Sequence, residues 1–334
     1  MAAQKNAPLP DGLEIAGYRI VKKIASGGFS IVYLAYDSEG NAVAIKEYLP
    51  SALALRQPDQ LIPVVPKPHL AVFRIGLKCF FEEGRALARI VHPNVVRVLN
   101  FFRAHETVYM VMAYESGHSR QEHVARAAAK GTGLSEKFVR TVFHGVCSGL
   151  REVHANKLLH LDLKPANIYL RTDGSPLLLD FGAARQTLHT DAPMLAPMYT
   201  PGFAAPELYT RGAALGPWTD IYSLGAAMLS CMSLSTPPPV EARRADDHVP
   251  RQLARLAGYY SPELVKLVAT CLALDPLLRP QSVFEIQKAL QAAPAASPRM
   301  RATTLPVVEA VETGEARGGW RGLVDRLGAF RRDQ

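Results

Sequence analysis

The run His160-Leu161-Asp162-Leu163-Lys164-Pro165-Ala166-Asn167 places a carboxylate, an ammonium and an amide at i, i+2 and i+5. Pro165 argues against a continuous helix, so the segment reads as a loop that can aim all three groups at one point. An acceptor carboxylate, a cation and a metal-binding amide are the parts a phosphoryl transfer requires. Asp180-Phe181-Gly182 follows an apolar strand-like stretch at residues 176–179. A carboxylate at a strand end, followed by Phe-Gly, can hold Mg²⁺ at a hinge.

Two more signals lie upstream. Gly27 and Gly28 sit between two stretches with strand composition. Glycine lets a backbone approach phosphate oxygens and offers N–H donors with no Cβ in the way. A Gly-Gly pair is also the composition of a plain hairpin turn. Val43-Ala44-Ile45-Lys46 ends an apolar strand on a lysine. If buried, that lysine needs an anion, either a phosphate or a carboxylate such as Glu83. A lysine snorkelling at the surface gives the same pattern.

The elements that must position these groups change character along the chain. Residues 18–25, 31–36, 42–47, 95–102 and 107–113 carry β-branched and aromatic residues between turn signals, and residues 73–90 read as one helix. From Leu134 the period becomes helical, with Ser135 as N-cap and Phe138, Val142, Val146, Leu150 and Val153 on one face. Further helices are expected at residues 217–232, 262–273 and 282–292. A small β-rich part therefore precedes a larger α-helical part.

Composition bounds the answer. The 334 residues are 48% hydrophobic and 20% charged, which excludes a disordered, collagen-like or coiled-coil chain. At about 150 residues per domain, this length suggests two domains or one two-lobed unit. The formal charge is +8, but adjacent basic residues occur only at Lys22-Lys23, Arg243-Arg244 and Arg331-Arg332. That is too scattered for a nucleic-acid footprint, so no nucleic-acid partner is expected. Cys79, Cys147, Cys231 and Cys271 form no C-x-x-C pair and read as buried thiols in a reducing cytoplasm. No secretory signal or transmembrane segment is visible.

The order and spacing of the four signals resemble the eukaryotic-type Ser/Thr protein kinases, over residues 18–289. Ala205-Pro206-Glu207, Asp220-Ile221-Tyr222-Ser223-Leu224-Gly225 and Arg279 add to the match. Lys46-Glu47-Tyr48-Leu49-Pro50 and Thr200-Pro201-Gly202-Phe203 look like bacterial members of the family. The resemblance implies an α+β, bilobal protein-kinase-like fold. Residues 18–113 would form a small β-rich N-lobe and residues 114–290 a larger α-helical C-lobe. An N-terminal extension (1–17) would precede them, and an Ala/Pro-rich linker with a C-terminal amphipathic helix (291–334) would follow.

The resemblance also implies ATP- and Mg²⁺-dependent phosphorylation of Ser/Thr hydroxyls on proteins in bacterial signalling, with Mn²⁺ as an alternative ion. Autophosphorylation and a partner phosphatase follow by the same analogy. Lys46 would grip the α- and β-phosphates and pair with Glu83. Asp162 would accept the proton of the substrate hydroxyl, and Lys164 would stabilise the transferring phosphoryl group. Asn167 and Asp180 would hold the metal. Gly27 and Gly28 would cover the phosphates. Met112, Ala113, Tyr114 and Glu115 would frame the adenine, with Ile24, Val32, Ala44 and Tyr169 lining the nucleotide. Glu207 would pair with Arg279. A second reading is a pseudokinase, a binding scaffold on the same fold. Its mark is loss of Lys46, Asp162, Asn167 or Asp180, and all four are present.

The chain departs from the family pattern in three places. Ala25 and Ser30 stand where glycine is usual, so a stiffer phosphate turn is expected. Leu161 replaces the arginine of His-Arg-Asp, and a leucine cannot bind a phosphate on the activation segment. Activity independent of activation-segment phosphorylation is expected from that residue. Lys46 and Glu83 are separated by a long connection containing Pro58, Pro63, Pro66 and Pro68. It reads either as a regulatory contact or as a passive insertion. In the tail, Trp320, Leu323, Val324, Leu327 and Phe330 recur at helical spacing among arginines. Such a helix is expected to dock on protein rather than on an anionic membrane.

Overall fold

The computed structural model describes residues 6–115, 117–119, 133–181 and 199–292. The C-terminal amphipathic segment, Thr187 and Thr190 lie outside the described residues. The described chain forms two units. Residues 6–89 and 97–114 make the first; residues 90–96 and 115–292 make the second.

The first unit is a six-stranded antiparallel sheet with one long helix. Its strands are β1 (Glu14–Ile15), β2 (Tyr18–Ser26), β3 (Ser30–Tyr36), β4 (Ala42–Tyr48), β5 (Val98–Ala104) and β6 (Thr107–Ala113), in the spatial order β1-β2-β3-β4-β6-β5. Helix α1 spans Leu70–Leu87. Successive side chains on a strand point to opposite faces, and β4 shows the consequence. Ile45 and Glu47 are fully buried on one face. Lys46 and Tyr48 lie on the other, where Tyr48 packs against Phe73 and Phe80 of α1 with ring centroids 5.4 and 5.6 Å away.

Gly76 permits this packing, because a Cβ there would overlap the Tyr48 hydroxyl. That hydroxyl is buried and has no hydrogen-bond partner among the described residues. An orphaned buried hydroxyl is a cost that its removal relieves. Tyr48→Phe is therefore expected to raise stability by about 1 kcal/mol, and Gly76→Ala to lower it by about 1–3 kcal/mol. Urea denaturation of both variants checks this.

The second unit holds a three-stranded antiparallel sheet, β7 (Gly117–Ser119), β8 (Ile168–Arg171) and β9 (Pro176–Leu178), in sequential order. Its helices are α2 (Glu136–Ala155), α3 (Pro217–Ser233), α4 (Val240–Ala245), α5 (Val249–Leu256), α6 (Pro262–Cys271) and α7 (Val283–Gln291). Ser135 caps α2, its side chain accepting from Phe138 N at 3.2 Å. Val139, Val142, Phe143, Val146, Leu150 and Val153 bury the inner face of that helix. Helix α3 is buried almost throughout, the polar Thr219, Asp220 and Ser223 included.

The strand expected at residues 95–102 begins three residues late. Val95 instead bridges to Leu178, and Val96 N donates to Leu178 O, both within the second unit. Helix α1 starts and ends three residues earlier than its periodicity suggests. Helix α4 is too short for a period to show, whereas in α5 Val249, Leu253 and Leu256 recur at helical spacing, a helix that the expected set leaves out. No helix among the described residues is long and apolar enough to cross a membrane.

Candidate active site

The second unit gathers one half of the expected site around the loop before a 3-10 turn at Pro165–Asn167. Asp162 is 7% exposed. Its carboxylate accepts from Lys164 Nζ at 2.9 and 3.1 Å and from Thr200 Oγ1 at 3.1 Å. Lys164 Nζ also donates to Thr200 Oγ1 at 2.8 Å. Asn167 Nδ2 donates to the Asp162 backbone carbonyl at 2.8 Å and to its Oδ2 at 3.0 Å. The carboxylate, the cation and the amide thus converge as their spacing suggests. Thr200 arrives from 38 residues away.

Asp220 holds the loop from beneath. Fully buried in α3, it accepts from His160 N and Leu161 N at 2.8 Å each, and its Oδ2 lies 2.8 Å from His154 Nε2. Burial alone would raise its carboxyl pKa, but the His154 hydrogen bond and the nearby imidazoles bring it below the ordinary value. These two amide bonds fix Leu161 at φ +62°, a left-handed backbone costing a non-glycine residue about 1–2 kcal/mol. Leu161 is itself buried and lines a small cleft with Thr200, Phe203, Ala204 and Ser223. A buried apolar side chain beside the Thr200 segment therefore stands where a cation would be expected.

Asp180 ends the strand-side approach to the same loop. Its backbone carbonyl accepts from Asn167 Nδ2 at 3.5 Å, and its φ is +52°. Phe181 packs against His160 in a tilted arrangement with centroids 4.5 Å apart, and His160 Nε2 meets Leu179 O at 3.0 Å. Burial pushes the His160 pKa below its ordinary value, against the opposing pull of Asp220 and Asp162. Tyr169 donates its hydroxyl to Glu115 O at 3.0 Å, while Arg171 pairs with the Glu115 carboxylate at 3.0 Å. Glu207 and Arg279 form the expected pair, at 2.8 and 3.1 Å.

The first unit carries its own set of the expected residues. Lys46 lies on β4 opposite Val32 on β3 and Met110 on β6, and Ala44 lies opposite Met112. Lys46 Nζ is 5.8 Å from the centroid of Phe80 on α1. Glu83 is buried on α1, one turn further on. Val32, Ala44 and Lys46 share the half-exposed face of the sheet, and Ile24 is buried at the end of β2. Met112 and Ala113 end β6; Ala113 N donates to Arg97 O at 2.9 Å, and Tyr114 follows. The β2–β3 turn is closed by Gly27 N donating to Ser30 O at 2.9 Å. A Cβ at Gly27 would meet no protein atom within 4 Å. Packing therefore does not demand glycine there, and open space above the turn suits a ligand's approach.

The donor set fits a hard divalent cation. Asn167 commits its amide nitrogen to Asp162 and Asp180, which turns its chemistry toward the amide oxygen. An amide oxygen and the Asp180 carboxylate are hard oxygen donors. Mg²⁺ takes one or two such groups together with substrate phosphates. Among the described residues no cluster of three or more His, Cys, Asp and Glu side chains could hold a metal by itself.

Two features have no signature in motif spacing. His154 beneath the loop carries no motif of its own. A buried charge network lies behind Lys46: Glu47 is paired with Arg56 and hydrogen-bonded by Tyr33 and Tyr109. Parity could have found the network, since Val43, Ile45 and Glu47 alternate on one face of β4. A carboxylate on an apolar face calls for a cation.

Comparison with known proteins agrees with this geometry. The protein kinase domain family matches residues 18–292. The serine/threonine-protein kinase PknD of Chlamydia abortus is 30% identical over 330 residues, covering 85% of this chain and 32% of the relative. That of Chlamydia pneumoniae is 28% identical over 320 residues, covering 86% and 32%. The chain thus spans about a third of the length of these curated relatives. Among solved structures, the apo form of PpkA-294 is 36% identical with a TM-score of 0.75, covering 85% of this chain and 99% of that one. The PknI kinase domain of Mycobacterium tuberculosis is 25% identical with a TM-score of 0.60, covering 85% and 98%.

Proposed function

Because the chain belongs to the protein kinase family, we propose that it transfers the γ-phosphoryl group of ATP to Ser/Thr hydroxyls of proteins, itself included, in bacterial signalling. The single observation that carries this reading is the hydrogen-bonded cluster of Asp162, Lys164, Asn167 and Thr200. A phosphoryl transfer offers a protein little covalent chemistry, so positioning and electrostatics do the catalysis. Asp162 orients the acceptor hydroxyl and takes its proton. Lys164, beside that carboxylate, meets the negative charge on the transferring group. Thr200 holds the two in register.

Asn167 and Asp180 would hold the divalent ion that ATP use in this family implies, and we assign it as Mg²⁺, with Mn²⁺ as a substitute. When bound, the ion supplies charge neutralisation on the phosphates. Lys46, supported by Glu83 on α1, takes the α- and β-phosphates, and the Gly27-Gly28 turn covers them. Ile24, Val32, Ala44, Met112, Ala113, Tyr114, Glu115 and Tyr169 are assigned to the nucleoside. Residues 18–113 and 114–290 are assigned as the two lobes of this catalytic body. A cytoplasmic location suits the thiols of Cys79, Cys147 and Cys271, and a partner phosphatase would reverse the mark.

Leu161 supports activity without activation-segment phosphorylation, because a buried apolar residue that lines one cleft with Phe203 and Ala204 stands where a phosphate-binding cation would be needed. Thr187→Ala and Thr190→Ala are each expected to change the rate on an exogenous acceptor by less than about twofold, since no charge-assisted latch is lost. A large loss rescued by Asp at the same position would overturn that expectation.

The deciding experiment incubates labelled ATP and Mg²⁺ with the protein and a generic acceptor, beside Asp162→Ala and an EDTA control. Transfer by the parent chain alone supports the proposal. No transfer to itself or to the acceptor would favour a binding scaffold on the same fold.

A further inference from the structure

Glu47 follows Lys46 directly on β4, and its side chain enters the opposite face of the sheet. It is fully buried, as is its partner Arg56, which is 1% exposed. Arg56 donates to both Glu47 oxygens, at 2.5 and 2.8 Å. Tyr33 on β3 and Tyr109 on β6 each donate a hydroxyl to the same carboxylate at 2.8 Å. The carboxylate therefore ties β4 to both of its sheet neighbours. It does so beside the rung on which Lys46 stands opposite Val32 and Met110. Burial would disfavour a charged guanidinium, but Glu47 more than offsets this, and both tyrosine pKa values are pushed up by burial and by the carboxylate.

Arg56 lies on the long connection between Lys46 and Glu83. The same connection reaches the glycine turn: Leu49 N donates to Phe29 O at 2.8 Å, and Ser51 N donates to Gly28 O at 2.9 Å. The N-terminal segment closes over the pair. Asn6 accepts from Arg56 N at 2.6 Å, Ala7 O accepts from Arg56 Nε at 2.8 Å, and Leu9 N donates to Tyr33 Oη at 3.1 Å. One buried ion pair thus joins the strand of Lys46 to the approach to α1 and to the segment before β1, while the backbone between its two members meets the turn of Gly28.

We infer that Glu47 and Arg56 are positioning residues for Lys46, through which the inserted connection and the N-terminal strap set the phosphate-binding geometry of the first unit. The physical reason is that β4 cannot shift at this rung without breaking charge-assisted hydrogen bonds in a dry site. A lysine aimed from a fixed backbone loses less freedom when it meets a phosphate. The inference rests on the assignment of Lys46 to the ATP phosphates.

The test is a binding cycle read with a fluorescent ATP analogue, so it does not depend on turnover. The variants are Lys46→Ala, the double change Glu47→Leu with Arg56→Met, and all three together. A buried ion pair replaced at both ends by apolar residues of similar size often costs little stability. Glu47→Gln and Arg56→Lys are measured alongside in case the double variant does not fold. We expect the pair variants to weaken nucleotide binding roughly tenfold with Lys46 present and to add little in the Lys46→Ala background, because effects acting through one residue do not add. Equal weakening in both backgrounds, or none, would overturn the inference and leave the assignment of Lys46 standing. If Lys46→Ala binds the analogue as tightly as the parent, the assignment of Lys46 itself fails and the inference with it.

Discussion

Asp162→Asn is expected to lower kcat for protein phosphorylation by roughly 10²–10⁴-fold, the range for loss of a positioned general base. The substitution keeps the size of the side chain and one oxygen that can accept from Lys164 or Thr200. It removes the negative charge that holds both and that receives the hydroxyl proton. KM for ATP should stay near the parent value, since the carboxylate acts on the acceptor and not on the nucleotide. Stability should fall by only about 1–3 kcal/mol, the scale of charged hydrogen bonds partly kept. Steady-state kinetics in both substrates, with a thermal melt, separate these outcomes. A variant keeping more than about a tenth of parent kcat would remove Asp162 from the role of base.

Arg279→Met is expected to have the largest effect on stability, a loss of about 3–5 kcal/mol, because it strands a buried carboxylate. Arg279 has no exposed side-chain surface, and Glu207 has 6%. Besides its two bonds to Glu207, the guanidinium donates to Ala273 O at 2.7 Å, Trp218 O at 3.0 Å and Leu274 O at 3.1 Å. One side chain thus joins the segment ending at Glu207, the start of α3 and the turn after α6. Lysine cannot reproduce this fork, so Arg279→Lys should recover only part of the loss. The double variant with Glu207→Leu should recover more, because no charge is then left unpaired. Chemical denaturation checks the order. Activity should follow stability, since the Glu207 segment carries Thr200 to Asp162. A loss below about 1 kcal/mol for Arg279→Met would show the pair to be a minor contact.

The chemistry was the most legible part of the sequence. Asp162, Lys164 and Asn167 lie within six residues and share one loop, so local geometry alone brings them together. The Asp180 segment was legible because a carboxylate closes an apolar strand. Glu207 with Arg279 was legible only through family likeness, as 72 residues separate them. Strands β2, β3, β4 and β6 were close to their expected bounds, β3 and β4 through alternation on a half-buried sheet and β6 through a continuous buried run of β-formers. Strand β5 was misjudged at its start, where apolar residues 95–96 pair with Leu178 instead. Periodicity says that a residue is buried, and not which partner buries it.

Taken alone, the sequence determined which groups can do chemistry and the order in which the chain presents them. It set the apolar faces that make one β-rich and one helical unit. Tertiary structure decided what lies behind those groups. Asp220 and His154 support the strained backbone of Leu161, Thr200 crosses from a distant segment to join Asp162 and Lys164, and Arg56 meets Glu47 behind Lys46. Each of these depends on a buried polar group finding a partner that no motif spacing marks, 59 residues away for Asp220 and Leu161, 38 for Thr200 and Asp162. Desolvation makes such partners obligatory, but only packing chooses them.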